Sequence, residues 1–432
     1  MLSSFTIRNF KSYEKATLKL GPLTVLVGAN ASGKSNAVEA LRFLSWFAQG
    51  NKLGSIRYAL QESAQAIRGT VNDLGHGGRR RFSLSCVTKD PKWNQYSVTL
   101  ERQTDEDLHI TDERLTGSFQ RVPLFEVVSS QVAGGDIRVA YNNFARGGMK
   151  PQVTCTDQMA VLLQLQSSAR FGQHQKMAQR VIPETTTRYQ GWLSNIVFLD
   201  PQPSTMRAYS FKTERTLSGH GANLSGVLFN LCRKAHTKSE VLHFIKALPE
   251  QDITKIDFIE TPRNEAMVKL TETFGGKQTE YDAALLSDGT LRVLGIAAAV
   301  LSAPEGSIVV IEEIDNGVHP SRAKLMLDRL STVANERNLR VLISSHNPAL
   351  LDALPDDAVP NVVFCYRDPT TGSSCLQRLV DLPDYPELIA QGAVGHLLTQ
   401  GILERVVKFR RRPEERRRRA HAWLEAIKKQ AG

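Results

Sequence analysis

Gly28-Ala29-Asn30-Ala31-Ser32-Gly33-Lys34-Ser35 follows directly on an apolar run, Leu23 to Val27. It opens onto Asn36 to Phe47, where Val38, Leu41, Leu44 and Phe47 share one face of a helix. Strand, small-residue loop and helix in that order, with the spacing G-x-x-x-x-G-K-[ST], make a phosphate-binding P-loop. Small residues let successive backbone N–H groups turn inward as an anion nest at the start of a helix. Lys34 reaches for the outer phosphates of a nucleotide, and the Ser35 hydroxyl suits one position around Mg²⁺.

The 432 residues allow two or three domain-sized units. No apolar run approaches the roughly 20 residues that cross a bilayer, and Arg8 and Lys11 interrupt the start, which lacks a signal segment. A cytoplasmic protein without a membrane partner is expected. Cys86, Cys155, Cys232, Cys365 and Cys375 are scattered and form no C-x-x-C pair, which suits reduced thiols better than a disulfide framework or a zinc site. The net charge of +10 is concentrated at the end: from Arg405 to Gly432, eleven Lys/Arg face three Asp/Glu. The rest of the chain is nearly neutral, so composition does not imply a general nucleic-acid surface.

Along the chain, Phe5–Tyr13 and Ala16–Leu20 read as two strands before the P-loop strand. From Arg81 to Leu115 the apolar period becomes two, which predicts an antiparallel sheet. The pattern weakens from Gly117 to Gln190, where Met159–Val181 reads as helical. A strand at Asn195–Leu199 runs into Asp200-Pro201-Gln202-Pro203. Helices are expected at Leu224–Lys234 and Ser239–Leu248, and strands near Ile253–Glu260 and Ala266–Glu272. No heptad pattern persists, so no long coiled coil is expected.

A P-loop binds phosphate, but hydrolysis needs further groups. Ser307–Ile311 is a buried-strand run ending in Glu312-Glu313. A carboxylate there orients Mg²⁺ and a second polarises the attacking water, which assigns Glu312 to the metal and Glu313 to the water. Ser287-Asp288-Gly289-Thr290 caps a helix, Leu291–Leu301, and makes another anion site. Leu342-Ile343-Ser344-Ser345-His346 is a strand ending in a histidine at a sheet's carboxyl edge.

Taken in order, Ile7-Arg8-Asn9-Phe10-Lys11-Ser12, GANASGKSN, LLSDGT, VVIEEIDNGVHP and ISSHNPALL resemble the head domains of ABC-type ATPases, in the compact branch related to RecF, the SMC proteins and the OLD family. The resemblance covers residues 1–50 and about 280–355 well. It implies an α/β P-loop NTPase with an ABC-type head: a mixed core sheet flanked by helices, an antiparallel β subdomain and a helical lobe. The domains expected are a nucleotide-binding lobe (1–116), an inserted mainly helical or mixed lobe (117–280), a lobe with signature, acidic pair and switch histidine (281–400), and a basic tail (401–432). ATP and Mg²⁺ would be bound by Gly28 to Asn36 (Gly28, Ala29, Asn30, Ala31, Ser32, Gly33, Lys34, Ser35, Asn36), with Asn9, Phe10 and Lys11 near the adenine. Two heads would enclose the nucleotide, so that Ser287 and Gly289 touch the γ-phosphate held by the opposite subunit. His346 would sense that phosphate and Gln202 would contact the metal. Asp288 stands where a glycine is usual, and Glu312 where an aspartate is, which points to slow hydrolysis.

OLD-type nucleases add a metal-binding Toprim domain, and nothing after His346 carries its Asp-x-Asp pattern. The resemblance therefore implies an ATPase regulating a separate effector subunit, a nuclease or toxin, in bacterial anti-phage defence. The alternatives are a RecF-like repair ATPase that clamps DNA and a nearly inactive nucleotide-dependent scaffold. Three readings of the tail stay open: a solvated helical end with Glu414 and Glu415 facing Arg418 and Arg419, a nucleic-acid phosphate site, or a dock for an acidic partner anchored by Trp423.

Overall fold

In the computed structural model the described residues are 1–57, 67–103, 107–129, 135–246, 252–315 and 320–408. The basic tail beyond Lys408, with all three of its readings, lies outside them.

A six-stranded sheet forms the centre. β3 (Leu23–Val27) is flanked on one side by β16 (Arg340–Ser345), β15 (Ile308–Ile311) and β10 (Val197–Leu199), and on the other by β17 (Val362–Arg367) and β18 (Ser374–Arg378). The first five run parallel and only β18 is antiparallel. Parallel strands covered on both faces need apolar side chains at every position. That is why the P-loop strand and the Glu-pair strand read as unbroken apolar runs. Val25, Val309, Ile311, Val341 and Ile343 enter the core on one face, while Leu26, Ile308, Val310 and Leu342 enter the core on the other.

The first face packs on α5 (Asp288–Ser302) and α6 (Pro320–Glu336). The helical lobe adjoins it, with α3 (Leu224–Cys232) and α4 (Ala235–Ile245) on α5. Its small sheet pairs β13 (Glu265–Phe274) with β11 (Ser210–Phe211), β12 (Ile253–Glu260) and β14 (Lys277–Asp282). α5 is buried nearly all round, as its Ala- and Leu-rich sequence requires.

The second face carries α1 (Lys34–Ala48) and an eight-stranded antiparallel sheet. In spatial order this sheet is β2 (Tyr13–Lys19), β1 (Leu2–Phe10), β4 (Arg81–Thr88), β5 (Gln95–Arg102), β6 (Leu108–Thr116), β7 (Phe125–Ser129), β8 (Asp136–Tyr141) and β9 (Gln152–Thr156). The last three strands lie in the stretch expected to be a mainly helical or mixed insertion. Their alternation is masked by the long loops between them, and they join in succession, β7 on β6, β8 on β7 and β9 on β8. The helix read at Met159–Val181 is also different: one turn at Val161–Gln164, then α2 (Lys176–Ser194), which runs straight through Pro183. Burial of Ile182, Tyr189 and Leu193 outweighs the roughly 3 kcal/mol that an interior proline costs.

A bulge gives the large sheet a buried charge. Thr99 pairs with Asp112 but Leu100 pairs with Ile110, so Thr111 is the extra residue and the phase of β6 flips. Glu113 is thereby turned inward and fully buried. It accepts hydrogen bonds from the Val161 and Leu162 N–H groups, at 2.8 and 3.0 Å, and from the Tyr96 hydroxyl at 3.1 Å. Burial outweighs these bonds and pushes its carboxyl up to about 7. A folded value above the ordinary 4.5 means that the folded state holds this proton more tightly. The contribution is full below about pH 4.5 and is lost as the pH rises through 7, on the order of 3 kcal/mol in all. The thermal midpoint of the wild type should therefore fall from pH 5 to 8 relative to that of Glu113→Gln. Parallel profiles would place the titrating group elsewhere.

Candidate active site

The register of the central sheet assembles the site. Val27 pairs with Ser345, Ile343 with Ile311, and Ile311 with Leu199. The residues that follow these strand ends therefore leave the sheet along one carboxyl edge: the P-loop, Glu312-Glu313, His346 and Asp200. One cavity of about 370 Å³ is lined by Asn30 to Asn36, Glu312, Glu313, Ser344 to His346, Ser12, Arg68 and Arg367.

Three loop residues are in the left-handed region: Gly28 (φ 151°), Ala31 (φ 61°) and Gly33 (φ 117°). A Cβ on Gly28 would stand 2.1 Å from the Cys365 carbonyl oxygen, and one on Gly33 2.3 Å from Ser374 Oγ. Both glycines are needed because β17 and β18 close against the loop. Ser374 Oγ donates to the Ser32 carbonyl (2.7 Å) and lies 2.8 Å from Ser12 Oγ, which also accepts from Asn36 Nδ2 (2.7 Å). Lys34 Nζ donates to the carbonyls of Gly28 (2.6 Å) and Ala29 (3.0 Å) and braces the nest from inside. Burial lowers its pKa, opposed by the field of Cys365, Glu313 and Asp315. The Ser32 hydroxyl is buried with no partner among the described residues. A nest of backbone N–H groups, a cation and an orphaned hydroxyl fit a phosphate chain.

Glu313 has φ 49°, a conformation that costs a non-glycine residue about 1–2 kcal/mol. Its N–H donates to Ser344 Oγ at 3.1 Å, which fixes the turn, and its side chain is exposed to the cavity. Glu312, together with Glu313, also lines a neighbouring chamber shared with Ser35, Glu39, Arg42, Arg68 and Asp200. Its carboxyl pKa is raised by burial and by Asp200 and Glu39, and lowered by Arg42, whose Nη2 donates to it at 2.8 Å. Arg42 also stacks 4.7 Å from the centre of the Phe198 ring. The hard oxygens of Ser35, Glu312 and Asp200 suit Mg²⁺. His346 is half-exposed, with Nδ1 3.5 Å from a carboxylate oxygen of the nearly buried Asp315.

Two expected assignments do not fit. Phe10 is fully buried edge-on to Phe43 and Phe82, so its ring is not free to meet a base. The tight β1–β2 turn, with Asn9 and Lys11 at positive φ, points it into the core. Lys11 Nζ pairs with Glu39 and donates to the Arg68 carbonyl, and Asn9 accepts from Arg79. Gln202 is exposed and does not line the cleft. β10 ends at Leu199, so Asp200 is the residue that reaches it, held by its N–H to the Gly219 carbonyl (2.9 Å).

Ser287 and Gly289 stand apart from this cleft. Ser287 Oγ caps α5, accepting from Thr290 N–H at 3.1 Å, and the residue is exposed. Arg207 staples the segment, donating to the carbonyls of Leu286 (2.6 Å) and Ala284 (3.0 Å) and pairing with Asp288 (2.5 Å). Sequence reading missed Arg207, Arg42, Asp200 and Asp315. Only Asp200 and Asp315 carried a signal, as carboxylates one and four positions past a strand end.

Gly33→Ala tests the closure. Strain at φ 117° and the clash with Ser374 should lower the thermal midpoint by several degrees and abolish nucleotide binding measured by calorimetry. Unchanged affinity would mean that the loop tolerates a different backbone.

Two family models match the sequence: an AAA ATPase domain over residues 1–114, and one described as "AAA domain, putative AbiEii toxin, Type IV TA system" over residues 158–352. No curated protein matches. Among solved structures, the SMC head domain from Thermotoga maritima is 13% identical with a TM-score of 0.42, over 87% of this chain and 98% of that one. The Smc head domain with an extended coiled coil, bound to the C-terminal domain of ScpA from Pyrococcus furiosus, is 13% identical with a TM-score of 0.43, over 90% and 99%. These likenesses are loose. The segments matched by the two ATPase models are the ones that fold together around the cleft, and the chain is a P-loop ATPase built from segments that match AAA-type ATPase domains.

Proposed function

We propose that this ATPase closes on ATP as a head-to-head dimer and, in that state, regulates a separate effector subunit in bacterial anti-phage defence, in the cytoplasm. The observation that carries the reading is the single cavity shared by the P-loop, Glu313 and His346. The N–H nest and Lys34 hold the phosphates, and Glu313 takes a proton from the attacking water. His346, backed by Asp315, faces the terminal phosphate. The base lies on the side of the β1–β2 hairpin, at Asn9 and Lys11. Mg²⁺, held by Ser35 and Glu312, supplies charge neutralisation at the phosphates when bound. The exposed Ser287 and the half-buried Gly289, braced by Arg207, complete the site of the opposite subunit. The toxin-system description of the family matched by residues 158–352 supports an effector partner.

Glu313→Gln should keep ATP affinity, lose about 10²-fold or more in phosphate release, and accumulate as a dimer in sedimentation. Full turnover would move the catalytic role to another residue. For the composite site, Ser287→Arg should bind ATP as a monomer and fail to dimerise, while Lys34→Ala should not bind. Mixing the two should restore at most one working site per dimer. Normal ATP-dependent dimerisation of Ser287→Arg would end the two-headed reading.

The Arg42–Glu312 ion pair favours one second reading, a nucleotide-dependent scaffold in which Glu312 stays engaged. Phosphate release by the wild type no faster than by Lys34→Ala, with nucleotide-driven assembly intact, would select it.

A further inference from the structure

One end of the eight-stranded sheet carries a surface that the ATPase cleft does not use. β4, β6 and β8 run in the same direction, so the loops that follow them, residues 89–94, 117–124 and 142–151, emerge at the same end. At about 4.8 Å per strand they span about 19 Å. Hydrogen bonds join them into one ordered surface. Asn94 Oδ1 accepts from the Ser118 N–H and hydroxyl, both at 3.0 Å, and the Asn142 N–H donates to the Leu124 carbonyl at 2.9 Å. Lys150 Nζ ties the third loop to itself through Asn143 Oδ1 and the Ala145 carbonyl.

The chemistry of this end is one-sided. Phe119 is 92% exposed and Met149 is 91% exposed, the two most exposed large apolar side chains among the described residues. Around them stand Lys89, Lys92, Arg121, Arg146 and Lys150, none of which makes an ion pair among the described residues. The loops contain a single acidic residue, Asp90, which is buried and neutralised by Arg188 at 2.6 Å. Apolar tips ringed by uncompensated cations match a surface that is anionic outside and apolar just beneath. A nucleic-acid strand would use the cations and could stack a base on Phe119, but Met149 offers no ring to stack on. Both side chains gain by entering an acyl boundary.

We infer that this end of the sheet docks on an anionic lipid bilayer, with Phe119 and Met149 inserted at the headgroup–acyl boundary and the five cations on the lipid phosphates. The contact is peripheral. No helix among the described residues is long and apolar enough to cross a membrane, and the sequence expectation of no membrane partner is revised to this extent.

The test is flotation of the full chain with phosphatidylcholine vesicles, with and without phosphatidylglycerol, at several salt concentrations. Binding should require the anionic lipid and weaken with salt. Each cation near such a surface contributes about 1 kcal/mol, or roughly fivefold, so Lys92→Ser with Arg121→Ser should lower partitioning about 25-fold. Phe119→Ser with Met149→Ser should lower it by about tenfold or more. ATP turnover should be unchanged in these variants, which shows that they fold. The tail beyond Lys408 is itself cationic, so dependence on Phe119 and Met149 is what assigns binding to the loops. Equal binding to neutral vesicles, binding that survives both loop variants, or no binding to vesicles would overturn the inference. So would a single-stranded oligonucleotide that binds in place of vesicles and is lost in the same variants.

Discussion

Parallel hydrogen bonding of β3 to β16, and of β16 to β15, is the constraint on which the rest of the molecule depends. It brings two segments almost 300 residues apart into one register, so that Val27, Ile311 and Ser345 end along a single edge. Everything chemical then sits in the turns that leave that edge. The strands can bear strained turns because each is buried on both faces. Four aliphatic side chains of β3 alone, at about 2 kcal/mol apiece, outweigh the left-handed Ala31 that follows them.

The same economy of position explains the acidic pair. The turn that leaves the strand, with Glu313 at positive φ, sets both carboxylates at the same sheet edge. Both carboxylates line the P-loop cavity and the neighbouring chamber, and Glu312 meets Arg42 there beside Asp200. The extra methylene of Glu312, relative to an aspartate, gives it the length to meet the Arg42 guanidinium two turns down α1. Arg42 thus offsets the cost of burying a carboxylate among Asp200 and Glu39, and it competes with any metal for the same oxygens. On the other lobe, Arg207 holds the Ser287 segment by its carbonyls, so the shape of that loop does not depend on which side chains occupy it.

Much of the nucleotide site was legible because its residues are local. A nest needs consecutive small residues, and its glycines are explained by what approaches them, the Cys365 carbonyl and Ser374. The helices and strands of the second lobe were legible from periodicity. What failed was anything set by long-range pairing. Three strands after Gly117 were hidden because successive pairing outward from β6, rather than local pattern, specifies them. Phe10 sits beside residues that line a cleft, yet a two-residue turn sends it into the core. Asp200, and not Gln202, lines the chamber because the end of β10 is fixed by its register with β15.

The sequence by itself determined that this chain binds nucleotide phosphate: spacing within eight residues, an apolar strand before them and a helical face after them suffice to build the nest. It also determined that a Glu pair and a histidine end buried strands. Only the tertiary structure decided that those strands are neighbours of the P-loop strand and that Asp315, Asp200 and Arg42 join them. It alone decided that Glu113 is buried by a bulge and that Phe119 and Met149 are left in solvent. The physical reason is that strand order, register and exposure are properties of pairs of segments, and local sequence encodes only what each segment is able to pair with.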